Sequence, residues 1–287
     1  MELENAYILT LSCRDRTGLV AAVAGLLFHN GANILESQQF DDLTRDTFFM
    51  RVVFSVPSSD ALGAIRAGIA SAIASDEAHW RIRACSDRKR VLLLVSKFDH
   101  CLDDLLYRLR IGELPMEVVA IVSNHPLEAL NTPLIGNIPF HHLPIDRNGK
   151  AQQEAQIRRL VEDNGVELVV LARYMQILSE QMCRFLEGRC INIHHSFLPG
   201  FKGARPYHQA HERGVKMIGA TAHFVTVDLD EGPIIVQDVE PITHADSPED
   251  LVRKGRDIER RVLARAVHHY LEDRVFPNGN KTVVFPS

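Results

Sequence analysis

Apolar and polar positions along the chain repeat with two periods, near 2 and near 3.6 residues, and the segments that carry them alternate in a regular order. Residues 6–12 are apolar and β-prone, Asp15-Arg16-Thr17-Gly18 follows as a turn, and residues 19–30 carry apolar side chains at helical spacing. Gly31 stands just past that helix, where a left-handed cap is expected. Residues 33–40 and 47–56 read as two strands joined by the polar turn 41–46. Residues 59–75 read as an Ala/Ile-rich helix and 79–84 as a last strand. The order βαββαβ is the ferredoxin-like pattern.

Ser86-Asp87-Arg88-Lys89-Arg90 is a short charged run that reads as a linker, dividing the chain into 1–85 and 86–287. Beyond it the pattern predicts a strand at 91–95, a helix to about 109, strands at 117–123 and 139–143, a helix at 152–164 and a strand at 167–172. A further short strand carries Asn192. Alternating strands and helices with nearly unbroken apolar strands imply a mostly parallel, Rossmann-like α/β sheet covered on both faces. Residues 217–227 and 233–242 alternate more clearly and have no helix between them, so they predict an antiparallel hairpin at one edge. A long helix, 247–270, closes the domain, with Ser247 as N-cap and Pro248 in its first turn.

Composition narrows the partners. The chain has 287 residues, 46% of them apolar, which is enough for a core in each of two domains. Its formal net charge is −5, with Lys and Arg scattered singly, so no basic field for nucleic acid is expected. The five cysteines, at 13, 85, 101, 183 and 190, include no Cys-x-x-Cys pair, which argues against a disulfide framework or a thiolate zinc site and for a reducing, cytoplasmic setting. The amino terminus lacks the basic start and apolar centre of a signal peptide, and no apolar run reaches the length of a membrane span.

The candidate chemistry lies in Cys190-Ile-Asn192-Ile-His194-His195-Ser-Phe-Leu-Pro199 and in Thr221-Ala-His223-Phe-Val-Thr-Val-Asp228-Leu-Asp230-Glu-Gly232. Asn192 and His194 alternate on a short strand and so share a face, at the carboxyl end where α/β sheets bind ligands. An amide suits a developing oxyanion, an imidazole a departing nitrogen, and a carboxylate a water molecule. Taken singly, each residue has a plainer reading: Asn192 as a turn cap, Asp230 as a hairpin-turn acid, His223 as a satisfied core histidine, His195 as pointing away from His194, and His208 and His211 as exposed. Five histidines between 194 and 223 raise a metal-hydrolase alternative, but no His-Glu-x-x-His is present and no metal is expected.

The first loop, Asp15-Arg16-Thr17-Gly18-Leu19, with the later Gly31-Ala-Asn33-Ile34, resembles the ACT domain over about residues 5–85. The resemblance implies an amino-acid effector site at Asp15, Arg16 and Asn33, with glycine and methionine as natural candidates, and pairing of ACT domains into a homo-oligomer, a dimer or tetramer. Asn192-x-His194, Ser196-Phe197-Leu198-Pro199, Gly203, Thr221-x-His223 and Asp230-x-Gly232 resemble the folate-dependent formyltransferases over about residues 88–285. Residue by residue, Asn192, His194 and Asp230 match that family's catalytic trio. The run Leu171-Ala-Arg173-Tyr174-Met175-Gln176-Ile177-Leu178 resembles the segment whose backbone receives the pteridine, with His223 and the turn near Asp228 alongside.

Two departures from the family matter. Transferases acting on glycinamide ribonucleotide carry a glycine-rich phosphate loop after the first strand, where this chain reads Ser96-Lys97-Phe98-Asp99-His100-Cys101; His195 stands where they commonly have proline. With an ACT domain in front, the chain is similar to those members in which water replaces the amine acceptor. That implies hydrolysis of 10-formyltetrahydrofolate to tetrahydrofolate and formate, with the folate as substrate and no further cofactor. Transfer to an amine is the nearest alternative, and a non-catalytic amino-acid sensor a more distant one.

Overall fold

A computed structural model of the chain describes residues 5–73, 78–145, 149–198 and 206–287, which leaves Pro199 and Gly203 of the sequence motif outside the described residues. The chain folds as two compact units, residues 1–87 with 273–276 and 283–287, and residues 88–272 with 277–282.

In the first unit β1 (Ala6–Arg14), α1 (Leu19–His29), β2 (Asn33–Asp42), β3 (Thr47–Ser55), α2 (Ser59–Ala72) and β4 (His79–Ala84) form an antiparallel sheet of order β2-β3-β1-β4. This is the ferredoxin-like ACT topology. Period-2 alternation puts Leu9, Leu11 and Cys13 of β1 and Phe48, Met50, Val52 and Phe54 of β3 on one buried face, against which Leu19, Val23 and Leu27 of α1 and Ile65 and Ile69 of α2 close a core. Gly31 has φ +70°, the left-handed value expected of it. Of the effector candidates, Asn33 lies apart from Asp15 and Arg16, level with Ala6 at the opposite end of the sheet. Asp15 is half-buried in the β1–α1 loop, Arg16 is exposed and donates to the Ala72 carbonyl at 2.6 Å, and Asn33 is exposed at the start of β2.

The second unit holds β5 (Lys89–Val95), α3 (His100–Arg110), β6 (Met116–Ser123), β7 (Phe140–His142), α4 (Lys150–Asp163), β8 (Leu168–Leu171), α5 (Glu180–Phe185), β9 (Cys190–His194), α6 (Pro206–Glu212), β10 (Met217–Phe224), β11 (Ile234–Pro241) and α7 (Pro248–Leu271). The sheet order is β11-β10-β9-β8-β5-β6-β7, parallel from β9 to β7 and antiparallel across β9-β10-β11. Val91 to Val95 are all fully buried, as expected of a strand covered on both faces. α7 starts with a complete capping box, Ser247 accepting from the Asp250 amide while the Asp250 carboxylate accepts from the Ser247 amide. Among the described residues no helix is long and apolar enough to cross a membrane.

Sequence periodicity missed α5, too short to show a helical period, and the final hairpin of β12 (Val275–Asn278) and β13 (Lys281–Val284). It also placed all of residues 86–287 in the second domain. Instead, Asp273–Phe276 and Val283–Ser287 belong to the first unit, where Phe276 and Phe285 pack with Phe49 and Arg274 pairs with Glu36 at 3.0 Å. A returning segment carries no local signal of the unit it returns to.

Candidate active site

The site is built at the carboxyl ends of β8 and β9. Antiparallel pairing of β9 with β10 sets Asn192 opposite His223 and His194 opposite Thr221, and opposed residues point to the same face. His223, fully buried as the plainer reading expected, is also part of the site. Its Nδ1 lies 2.8 Å from the Phe224 carbonyl, which can only accept, so Nδ1 carries a proton and donates. In the neutral imidazole Nε2 is then an acceptor, and the Asn192 amide nitrogen donates to it across 3.2 Å. One of the two Asn192 N–H bonds is thereby used and the other remains for a ligand.

Asp230 comes from the β10–β11 connection and has φ +57°, a left-handed conformation costly for a non-glycine residue. Gly232 makes the bend beside it, since a Cβ there would lie 1.8 Å from the Phe224 carbonyl oxygen. The turn delivers one Asp230 carboxylate oxygen 3.2 Å from His194 Nδ1 and the other 3.7 Å from His223 Nε2. Burial pushes the Asp230 carboxyl up, but the hydrogen bond it accepts from His194 Nδ1 outweighs burial and holds it well below the usual carboxylate range. His194 is buried, and its Nε2 has no hydrogen-bond partner among the described residues.

A cleft of about 220 Å³ brings together Asn192, His194, His223 and Asp230 with residues 173–178. The Ser96 hydroxyl, after β5, accepts from the Met175 amide at 2.9 Å and donates to Asn124 at 2.7 Å, while the Ser96 amide donates to the Arg173 carbonyl at 3.2 Å. These bonds fix the backbone of the segment. Arg173 is buried with φ +64°. Tyr174 is buried and donates to Gln153; burial pushes its phenol up to about 12. Met175 and Ile177 are exposed, and so are Val227 and Leu229, which line the same cleft. Apolar side chains left open around a cleft suit a flat, largely apolar ligand. Asp228 is exposed and not among the lining residues; its carbonyl accepts from Thr226 and Glu231.

His195 corrects the expectation from alternation. The strand ends at His194, so alternation lapses there, and the His195 ring lies 5.2 Å from that of His194 and also lines the cleft. Burial first, and then the Arg173 guanidinium, bring its imidazole down from 6.5 to about 4. His208 and His211 are exposed on α6, as expected. Three metal-ligand types do meet elsewhere among the described residues, His100, Cys101 and Glu259, with ligand atoms within 4.8 Å of one another. There Glu259 is already bonded by His100 at 2.9 Å and faces Arg173 at 3.2 Å, so a cation would have to displace one positive partner and adjoin another.

Comparison with known proteins agrees with this architecture. Residues 7–67 match the ACT domain model and residues 89–267 match the Formyl transferase model. Fold and site together define a protein of the formyl transferase class carrying an ACT domain in front. A formyltetrahydrofolate deformylase of Corynebacterium sp. (strain P-1) is 48% identical over 97% of this chain and 97% of its own length. The crystal structure of formyltetrahydrofolate deformylase from Burkholderia mallei superposes with a TM-score of 0.91 at 52% identity, over 98% of this chain and 100% of that one. Glycinamide ribonucleotide transformylase 1 from Symbiobacterium toebii is similar over only 69% of this chain and 95% of that one, with TM-score 0.62 and 30% identity. The chain belongs to the formyltetrahydrofolate deformylase family.

Proposed function

We propose that the protein hydrolyses 10-formyltetrahydrofolate to tetrahydrofolate and formate, with Asn192, His194 and Asp230 as catalytic residues. The observation that carries the reading is the meeting of an ionised, half-buried carboxylate, an imidazole with a free buried nitrogen and a half-used amide donor on one wall of a cleft. Asp230 orients the water. As the water oxygen adds to the formyl carbon, its proton passes to the Asp230–His194 pair and the carbonyl oxygen becomes an oxyanion. The free Asn192 N–H donates to that oxyanion, a contribution of roughly 10²–10³ in turnover. The pair then returns the proton to N10 as the C–N bond breaks, leaving tetrahydrofolate and formic acid, which ionises.

The backbone of residues 173–178 receives the pterin, with His223 and the turn at Asp228 at the site's border. No step requires a metal, so a chelator is expected to leave formate release unchanged. Replacing Asp230 with Asn keeps the shape and removes the anion. Formate release measured directly should fall by roughly 10²–10⁴-fold while folate affinity stays within a few-fold; unchanged turnover sinks the assignment.

The first unit we assign to sensing a small amino acid, glycine or methionine, through Asp15 and Arg16 of one copy and Asn33 of another, and to assembly as a dimer or tetramer. Support for assembly comes from β2, an edge strand with Ile34, Leu35 and Phe40 exposed. Five cysteine thiols, none of them in a disulfide, support a reducing, cytoplasmic setting.

A further inference from the structure

Next to the cleft a single carboxylate gathers side chains from three other segments of the second unit. Glu259, on α7, is 1% exposed. The Tyr207 hydroxyl of α6 donates to one of its oxygens at 2.7 Å; the other oxygen lies 2.9 Å from His100 Nε2, at the start of α3, and 3.2 Å from Arg173 Nε. A buried anion met by two hydrogen bonds and a guanidinium is a unit, because removing any one leaves desolvated charge behind.

The cluster bears directly on the reacting centre. Arg173 lines the cleft, and so does His195, whose ring packs edge-on against Tyr207 with centroids 6.3 Å apart. His195 in turn adjoins His194. The fold also makes a seat for the phenol: on α7, one turn before Glu259, a Cβ at Gly255 would lie 2.1 Å from the Tyr207 ring. The loop after β5, glycine-free in this chain, supplies the rest. Its Phe98 ring lies 5.7 Å from the Arg173 guanidinium, and its His100 points into the carboxylate.

We propose that the Glu259 cluster is the specificity determinant that makes water the formyl acceptor. It fixes Arg173 and His195 as a closed wall beside the catalytic trio and fills with side chains the space an amine acceptor would need. Glu259, Tyr207 and His100 are thus positioning residues. The inference rests on the hydrolysis reading.

The test uses the full-length protein, 10-formyltetrahydrofolate and glycinamide as an amine probe, with formate and N-formylglycinamide quantified in the same reaction. The wild type should yield formate alone. Tyr207→Ala should give N-formylglycinamide at least tenfold above the wild-type detection limit, and Tyr207→Phe, which keeps the filling ring but loses one donor to Glu259, should give less of it than Tyr207→Ala. Glu259→Gln, nearly isosteric, should also give N-formylglycinamide and supplies the readout if Tyr207→Ala does not fold. N-formylglycinamide absent from every folded variant, or a wild type that already formylates the amine, overturns the proposal. A wild type that releases no formate overturns the hydrolysis reading instead.

Discussion

His195 shows how much a single residue's neighbours can change its chemistry. With its imidazole brought down from 6.5 to about 4 by burial and by Arg173, it is uncharged in the folded protein over a range where the unfolded chain binds a proton. Proton uptake by the unfolded state makes stability rise with pH between those two values and fall on acidification through them, by on the order of 3 kcal/mol in all. Replacing His195 with Gln should therefore flatten the loss of stability between pH 6.5 and pH 4.5, measured as urea midpoints at the two pH values. An equally steep loss in the variant would show that His195 is not its source. Asp230 has the same sign at lower pH. Its carboxyl lies well below the ordinary range, so its contribution is present at neutral pH and disappears only as strong acid protonates it. The proposed catalytic trio was legible from residue type, spacing and the family resemblance together; the part of His195 in the cleft was not, because strand alternation predicts direction only as long as the strand continues.

At the scale of elements, strands and long helices could be read from periodicity because each buries one face or, in β5, both. The turn that delivers Asp230 is another matter. It depends on Gly232, whose missing side chain lets the chain pass against the Phe224 carbonyl. Gly232→Ala should displace the connection and Asp230 with it, and a shift of about 1 Å at a reacting group costs roughly 10² in rate. Comparing kcat and KM for formate release checks this: kcat is expected to fall about 10²-fold, and a variant with wild-type kcat would mean that the bend tolerates a methyl group. The short α5 and the β12–β13 hairpin left no readable period, since four to six residues sample at most two repeats of their own period.

For the molecule as a whole, the pairing of an ACT domain with a formyl transferase domain predicts that a small amino acid tunes hydrolysis. Titrating glycine or methionine into the formate assay should change the rate of the wild type, and Asp15→Ala should abolish the response while leaving the basal rate within twofold. A wild type indifferent to both amino acids, or a response retained in the variant, refutes the assigned effector site.

Hydrophobic patterning, residue chemistry and the family resemblance by themselves determined the two domain types, the order of their main elements and the three residues proposed to do the chemistry, because those features depend on local periodicity and on the reactivity of particular side chains. Only the tertiary structure decided that His223 orients the Asn192 amide and that His195 faces the cleft. It alone brought Glu259 together with Tyr207, 52 residues away in sequence, with His100, 159 residues away, and with Arg173. It also returned the last residues of the chain to the first unit. The physical reason is the same in each case. Strand register, helix packing and chain return bring together groups that no local period relates, and the charge and hydrogen bonding of a buried group are set by those distant neighbours.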